Sequence, residues 1–256
     1  MNEITIAVAG AFGRMGQEVV RMVKEEPSFR LVALIDPKGK EGGEAPVYTG
    51  VVDALIEKRP DVLIDFTTPS SVFENARAAL EMGVRPVVGT TGLKPDEINT
   101  LARLAGEGKV GAVIAPNFAL GAVLMMRFAQ MAAKYMPNVE ILEFHHDQKL
   151  DAPSGTALKT AEMIQEVREE RKQGNPQEEE RLQGARGGYI DGFRIHSIRL
   201  PGYVAHQEVI FGKEGEILTI RHDSLSRTSF MEGVKIAVKK VIQLEELVYG
   251  LDRLLD

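Results

Sequence analysis

Apolar positions along the chain fall into short unbroken runs, separated by stretches in which they recur every three or four residues. Ile4 to Val8 is one such run, followed by a glycine turn and a helical pattern from Arg14 to Glu25 with Met15, Val19, Met22 and Val23 on one face. Further strand-like runs lie at Leu31–Ile35, Val62–Phe66, Pro86–Val88 and Val110–Ala115, with helical segments near 71–82 and 95–106 between them. Alternation of this kind predicts parallel βαβ units. Because the runs are apolar throughout, the sheet is expected to be covered by helices on both faces.

The pattern changes after Asn117. A long apolar helix from Leu120 to Met136 is expected, then a strand over Val139–His145, a polar loop, and a helix from Thr156 to Glu170. Residues 171–188 are rich in Glu, Gln, Gly and Arg and read as a mobile loop. Three strand-like runs follow at Gly192–Leu200, Tyr203–Phe211 and Glu216–His222, the last two joined by a hairpin signal at Gly212-Lys213-Glu214-Gly215. Strands in succession without helices predict a second, α+β domain with a largely antiparallel sheet. A final helix over Ser226–Glu246, opening on a serine cap, is placed to pack back on the first domain. The expected division is therefore residues 1–117 completed by 226–256, with 118–225 as a second domain.

Composition narrows the chemistry. The 256 residues are 44% hydrophobic and 27% charged, enough apolar side chain for a core and no signature of disorder. Lys plus Arg number 31 against 37 Asp plus Glu, a net charge of −6, so no broad basic surface is available for a nucleic acid. The absence of cysteine removes disulfides, thiolate nucleophiles and cysteine-held metals. Met1 to Gly10 has no basic n-region or cleavage site. The longest apolar stretch, Gly111 to Met126, is interrupted by Pro116 and Asn117 and is too short to span a bilayer. A cytoplasmic protein with no membrane partner is expected.

Gly10, Gly13 and Gly16 stand in G-A-F-G-R-M-G, between the first strand and the first helix, where backbone amides and the helix dipole hold a pyrophosphate. The spacing departs from G-x-G-x-x-G at Ala11 and Phe12, and a plain tight turn is the alternative. Asp36 ends the second strand, 20 positions after Gly16, where an acidic residue meets an adenosine ribose. It disfavours a 2′-phosphate, whereas Lys38 and Lys40 attract one, so NADH and NADPH both stay open. Gly89-Thr90-Thr91-Gly92 and Ala115-Pro116-Asn117-Phe118 lie at the carboxyl ends of later strands, on the nicotinamide side, or serve as turns.

The segment from Glu143 to Thr156, E-F-H-H-D-Q-K-L-D-A-P-S-G-T, holds two of the five histidines beside Lys149 and runs into a helix start. If the strand continues through His145 and His146, their side chains face opposite sides and take different roles. Surface histidines are the bland alternative. A metal is disfavoured because no H-x-E or H-E-x-x-H spacing is present. Ser154-Gly155-Thr156 offers amides and hydroxyls to an anion, or simply caps the helix. The residues alone point to nicotinamide-dependent reduction of a small carboxylate.

Taken together, G-A-F-G-R-M-G, G-T-T-G, A-P-N-F and E-F-H-H-D-Q-K-L-D-A-P-S-G-T-A closely resemble the 4-hydroxy-tetrahydrodipicolinate (dihydrodipicolinate) reductase family of lysine and diaminopimelate synthesis. The resemblance runs on through G-A-R-G-G-Y-I-D-G-F-R-I-H-S-I-R-L-P-G-Y-V-A-H-Q-E-V-I-F and I-R-H-D-S-L-S-R-T-S-F. It implies a Rossmann-type domain closed by the C-terminal helix, a hinge, and a substrate domain whose sheet assembles a homotetramer. It also implies that Gly10, Ala11, Phe12, Gly13, Arg14 and Met15 cradle the pyrophosphate of NADH or NADPH and that Asp36 meets the ribose. By the same resemblance Gly89, Thr90 and Thr91, with Ala115, Pro116, Asn117 and Phe118, approach the nicotinamide. His145 takes the proton-donor position, Lys149 that of a second donor, and His146, Gly155 and Thr156 contact a small dicarboxylate substrate. Another nicotinamide-dependent reductase of a small carboxylate, or an NAD(P) sensor without turnover, are the competing readings. Acylating aldehyde chemistry lacks its cysteine.

Overall fold

The structure is a computed structural model that describes residues 3–39, 45–169 and 171–255. Lys40 and Glu170 lie outside the described residues. The chain divides into two compact units, residues 1–118 with 227–256, and residues 119–226. Both boundaries fall one residue later than the sequence pattern suggests. Phe118 is buried in the first unit, where its ring lies 5.9 Å from that of Phe66.

In the first unit β1 (Ile4–Ala9), α1 (Arg14–Glu25), β2 (Phe29–Ile35), β3 (Val47–Tyr48), α2 (Val51–Lys58), β4 (Val62–Asp65), α3 (Val72–Glu81), β5 (Arg85–Val88), α4 (Pro95–Gly108) and β6 (Ala112–Ile114) follow one another. The seventh strand, β12 (Leu247–Tyr249), arrives from the far end of the chain and pairs in parallel with β6. The sheet order is β12-β6-β5-β4-β1-β2-β3 and every pairing is parallel. Ile6, Ala7, Val8 and Ala9 point alternately to the two faces, and all four are inaccessible, so both faces are covered. The order in which strands are added across the sheet reverses between β1 and β4, and an open parallel sheet binds its ligand outside that point.

The second unit comprises α5 (Leu120–Ala133), β7 (Asn138–His145), α6 (Gly155–Gln165), β8 (Gly188–Ile190), β9 (Phe193–Arg199), β10 (Ala205–Lys213) and β11 (Glu216–Ser224). Its sheet, ordered β11-β10-β7-β9-β8, has three antiparallel pairings and one parallel pairing, β7 with β9. The long excursion between those two strands, through α6 and the charged segment, gives the chain enough length to return in the same direction. The hairpin between β10 and β11 closes Lys213 onto Glu216, leaving Glu214-Gly215 as a two-residue loop.

Several expectations needed correction. The last helix is shorter than Ser226–Glu246: a 3-10 turn over Arg227–Phe230 leads into α7 (Met231–Val241), whose cap position is Phe230. The residues beyond α7 leave the helix so that β12 can join the sheet. Helix α6 ends at Gln165 because the guanidinium of Arg168 donates to the carbonyls of Pro137, Asp191 and Arg171 and draws the chain away. Arg186, in the segment read as mobile, donates to Glu178 and to Glu140 of β7, 2.9 Å each, and Glu180 accepts from the Gly184 and Arg186 amides. Among the described residues, no helix is long and apolar enough to cross a membrane and no cluster of three acidic or histidine side chains is arranged to hold a metal.

Candidate active site

In the first unit the candidate residues gather at the carboxyl ends of β1, β2, β4, β5 and β6. Gly10 has φ +75°, and a Cβ there would sit 2.4 Å from the Phe66 carbonyl oxygen, so the turn after β1 presses against the end of β4. A Cβ at Gly16 would lie 1.9 Å from the Gly10 carbonyl oxygen, which is how α1 comes so close to the turn. The cap position of α1 is Gly13, with no side-chain cap and no acidic residue in the first turn, so the opening amides at Arg14 and Met15 are not countered by the chain's own carboxylates. This cradle fits a pyrophosphate. Asp36, nearly buried, accepts from the amides of Phe12 (3.2 Å) and Lys38 (2.9 Å), tying the end of β2 to the glycine turn that also holds Ala11.

Phe66 organises the other two loops. A Cβ at Gly89 would overlap its ring at 2.2 Å, and Phe118 packs against it from the end of β6. Beside it Asp65, fully buried, accepts from Thr90 Oγ1 (2.8 Å), Thr67 Oγ1 (2.7 Å) and Asn75 Nδ2 (2.8 Å). Ala115 is buried below this floor, whereas Thr91 and Pro116 are exposed above it and Asn117 is half-buried. Asp65 and Phe66 escaped the sequence reading. An acidic residue ending an otherwise apolar run, V-L-I-D, is the signal that points to them.

In the second unit β7 stops at His145, so His146 does not continue the strand; it is exposed, and its carbonyl accepts from the Lys149 amide at 3.2 Å. His145 Nδ1 lies 2.5 Å from Oε2 of Glu143, two residues earlier on the same face of β7. The Glu143 carboxylate is fully buried and gripped by both terminal nitrogens of Arg199 on β9, at 2.8 and 2.7 Å. Burial pushes the Glu143 carboxyl up, but the hydrogen bonds from His145, Arg199 and Ser197 outweigh it and hold it at about 2. Arg199 also donates to the Asp151 carbonyl at 2.8 Å, and Lys149 Nζ donates to Oδ1 of Asp151 at 2.7 Å, which lowers the Asp151 carboxyl. His145 and Lys149 are thus joined by an unbroken polar chain through Glu143, Arg199 and Asp151.

Ser154 caps α6, its hydroxyl accepting from the Ala157 amide at 3.2 Å while its own amide donates to Glu143 Oε1 at 3.3 Å. The helix start carrying Gly155 and Thr156 is therefore anchored to the carboxylate that holds His145. A Cβ at Gly155 would meet nothing within 4 Å, so the first turn faces open space. Amides at a helix start, an ammonium in the preceding loop and an oriented imidazole are the groups that anion binding and proton transfer require.

Comparison with known proteins decides the lineage. The profile of the dihydrodipicolinate reductase N-terminus matches residues 4–118, and that of the dihydrodipicolinate reductase C-terminus matches residues 121–255. The chain belongs to the dihydrodipicolinate reductase family. It is 58% identical to the 4-hydroxy-tetrahydrodipicolinate reductase of Geobacillus thermodenitrificans, across 99% of both chains. Its counterpart in Listeria monocytogenes is 56% identical over 98% of this chain and 99% of that one. A dipicolinate-bound dihydrodipicolinate reductase from Paenisporosarcina superposes with a TM-score of 0.92 at 49% identity, covering 99% of this chain and 100% of the other. An amine dehydrogenase from Mycobacterium smegmatis shares the fold, with a TM-score of 0.69 at 15% identity over 98% of this chain and 96% of that one.

Proposed function

We infer that the chain catalyses the NAD(P)H-dependent reduction of 4-hydroxy-tetrahydrodipicolinate to tetrahydrodipicolinate, the step found in the diaminopimelate route to lysine. Full-length identity to enzymes of that name supports this. The observation that carries it in this chain is the joined set of His145, Glu143, Arg199, Asp151 and Lys149 beside the open start of α6.

The glycine turn, with Arg14, Met15 and Asp36, would hold the dinucleotide, and Gly89–Thr91 with Ala115–Phe118 would border its nicotinamide. When bound, the reduced nicotinamide supplies hydride to the ring carbon that loses the 4-hydroxyl. The chain's own residues handle the rest. Lys149, His146 and the amides of Gly155 and Thr156 would meet the two carboxylates and fix the orientation of the ring. Electrons driven toward the ring nitrogen leave the carbon next to the hydride-accepting one in need of a proton, which His145 would deliver, with Lys149 as the second donor. The carboxylates of the substrate are matched by the cationic and amide lining of this unit.

Freshly generated substrate should discharge NADH or NADPH absorbance with the wild type. His145→Ala should lower kcat by about 100-fold or more while leaving cofactor affinity unchanged. Cofactor binding with no turnover by the wild type would favour a sensor and overturn the proposal. A cytoplasmic location and a homotetramer belong to the same proposal, supported by family membership, and the assembly also by the apolar Ile217 and Leu218 exposed on the edge strand β11. Light scattering in solution tests the assembly.

A further inference from the structure

The reaction proposed above gives no step of its own to the most deeply buried charge in the second unit. Glu143 lies on the central strand of its sheet, wholly inaccessible, two residues before His145. Strand geometry places both side chains on that face, and the imidazole reaches Glu143 Oε2 through Nδ1 at 2.5 Å. Its carboxylate has no freedom to swing. Arg199 clamps both oxygens from the neighbouring strand, and the Ser154 amide closes on Oε1 from the start of α6.

An ionised carboxylate is an acceptor only, so the proton between Glu143 and His145 belongs to Nδ1 whether the ring is neutral or charged. All exchange with another molecule is then left to Nε2. The guanidinium matters as much as the carboxylate. Because Arg199 balances Glu143, the imidazole faces a pair with no net charge. Around this pair stand Arg199 of β9 and the loop residues Lys149 and Asp151. The start of α6 adds the Ser154 amide, β9 adds Ser197, and β10 sets Ala205 opposite His145 and Gln207 opposite Glu143.

We propose that Glu143, with Arg199 as its counter-ion, is the positioning residue of this site, fixing His145 as the Nδ1–H tautomer so that Nε2 is the working nitrogen. The claim rests on His145 being the proton donor, but the tautomer itself is read without any turnover. Nitrogen-15 spectra of the intact protein labelled at histidine, with His145 assigned by loss of its signals in His145→Gln, should show a neutral ring protonated at Nδ1. In Glu143→Gln the amide can donate to Nδ1, and the population should move to Nε2–H. The same variant should lose about tenfold or more in kcat with little change in KM. The alkaline limb of its kcat profile should move to lower pH, because the uncompensated Arg199 opposes the imidazolium. An Nε2–H ring in the wild type would overturn the proposal without reference to any variant's folding. So would a Glu143→Gln protein that keeps both the tautomer and the pH profile. An Nδ1–H ring in a wild type that turns over no substrate would uphold the positioning and sink the assigned reaction instead.

Discussion

Two fully buried carboxylates sit near the ends of strands, Asp65 on β4 and Glu143 on β7, and the chain surrounds them differently. Asp65 is met by neutral donors from Thr67, Asn75 and Thr90. Glu143 is met by a guanidinium and an imidazole in addition to the neutral Ser154 amide. Neutral donors satisfy a carboxylate and lock the loops that carry them, which suits a surface that must hold a shape. Cationic donors tie the carboxylate to groups that carry or exchange protons, which suits a site that must do chemistry. One unit therefore uses its buried acid as a joint between loops, and the other uses it to hold an imidazole and a guanidinium in place.

The sharpest way to break this contrast is to remove both acids. Glu143→Ala strands Arg199 beside an empty space and should cost about 3–5 kcal/mol of stability in urea unfolding. Asp65→Ala orphans only neutral donors and should cost less; equal losses would erase the distinction. Acid titration comes next in size. Glu143 drops from an ordinary 4.5 to about 2 on folding, so the unfolded chain binds more protons between those values. Its stabilisation, roughly 3 kcal/mol, is complete above pH 4.5 and is lost as pH falls through 2. Glu143→Gln should flatten that slope in unfolding measurements made across the window. Asp65→Asn keeps the shape but turns an amide toward the donors of Asn75 or Thr90, at a cost of about 1–2 kcal/mol. It should weaken cofactor binding, read by fluorescence titration, more than it slows turnover. Smallest is Ser154→Ala, which removes the α6 cap but leaves its amide on Glu143, for about 1 kcal/mol in thermal unfolding.

The two carboxylates also mark the limit of what the chain discloses before it folds. Helix α1 is legible from end to end, because its apolar stripe is regular and it follows a glycine turn. Strands β3 and β12, of two and three residues, are too short to show any period, and α2, which follows β3, is a brief helix. The histidines and Lys149 stand out as a local cluster. What orients them does not: Arg199 is 56 positions from Glu143, and only the β7–β9 pairing brings them together. Composition misleads over residues 171–188 for the same reason. A run of charges looks solvated until its partners, here Glu140 of β7 for Arg186, are brought alongside by the sheet.

The entry of β12 from the far end of the chain bears on how the molecule is made. Residues 119–226 are synthesised before Leu247–Tyr249, so every strand of the inserted unit is made while the first sheet still shows β6 as a bare edge. Such an edge invites pairing with another nascent chain. The nucleotide-binding unit begins first in synthesis and is completed last, and its most vulnerable interval is the time taken to translate the unit inserted within it.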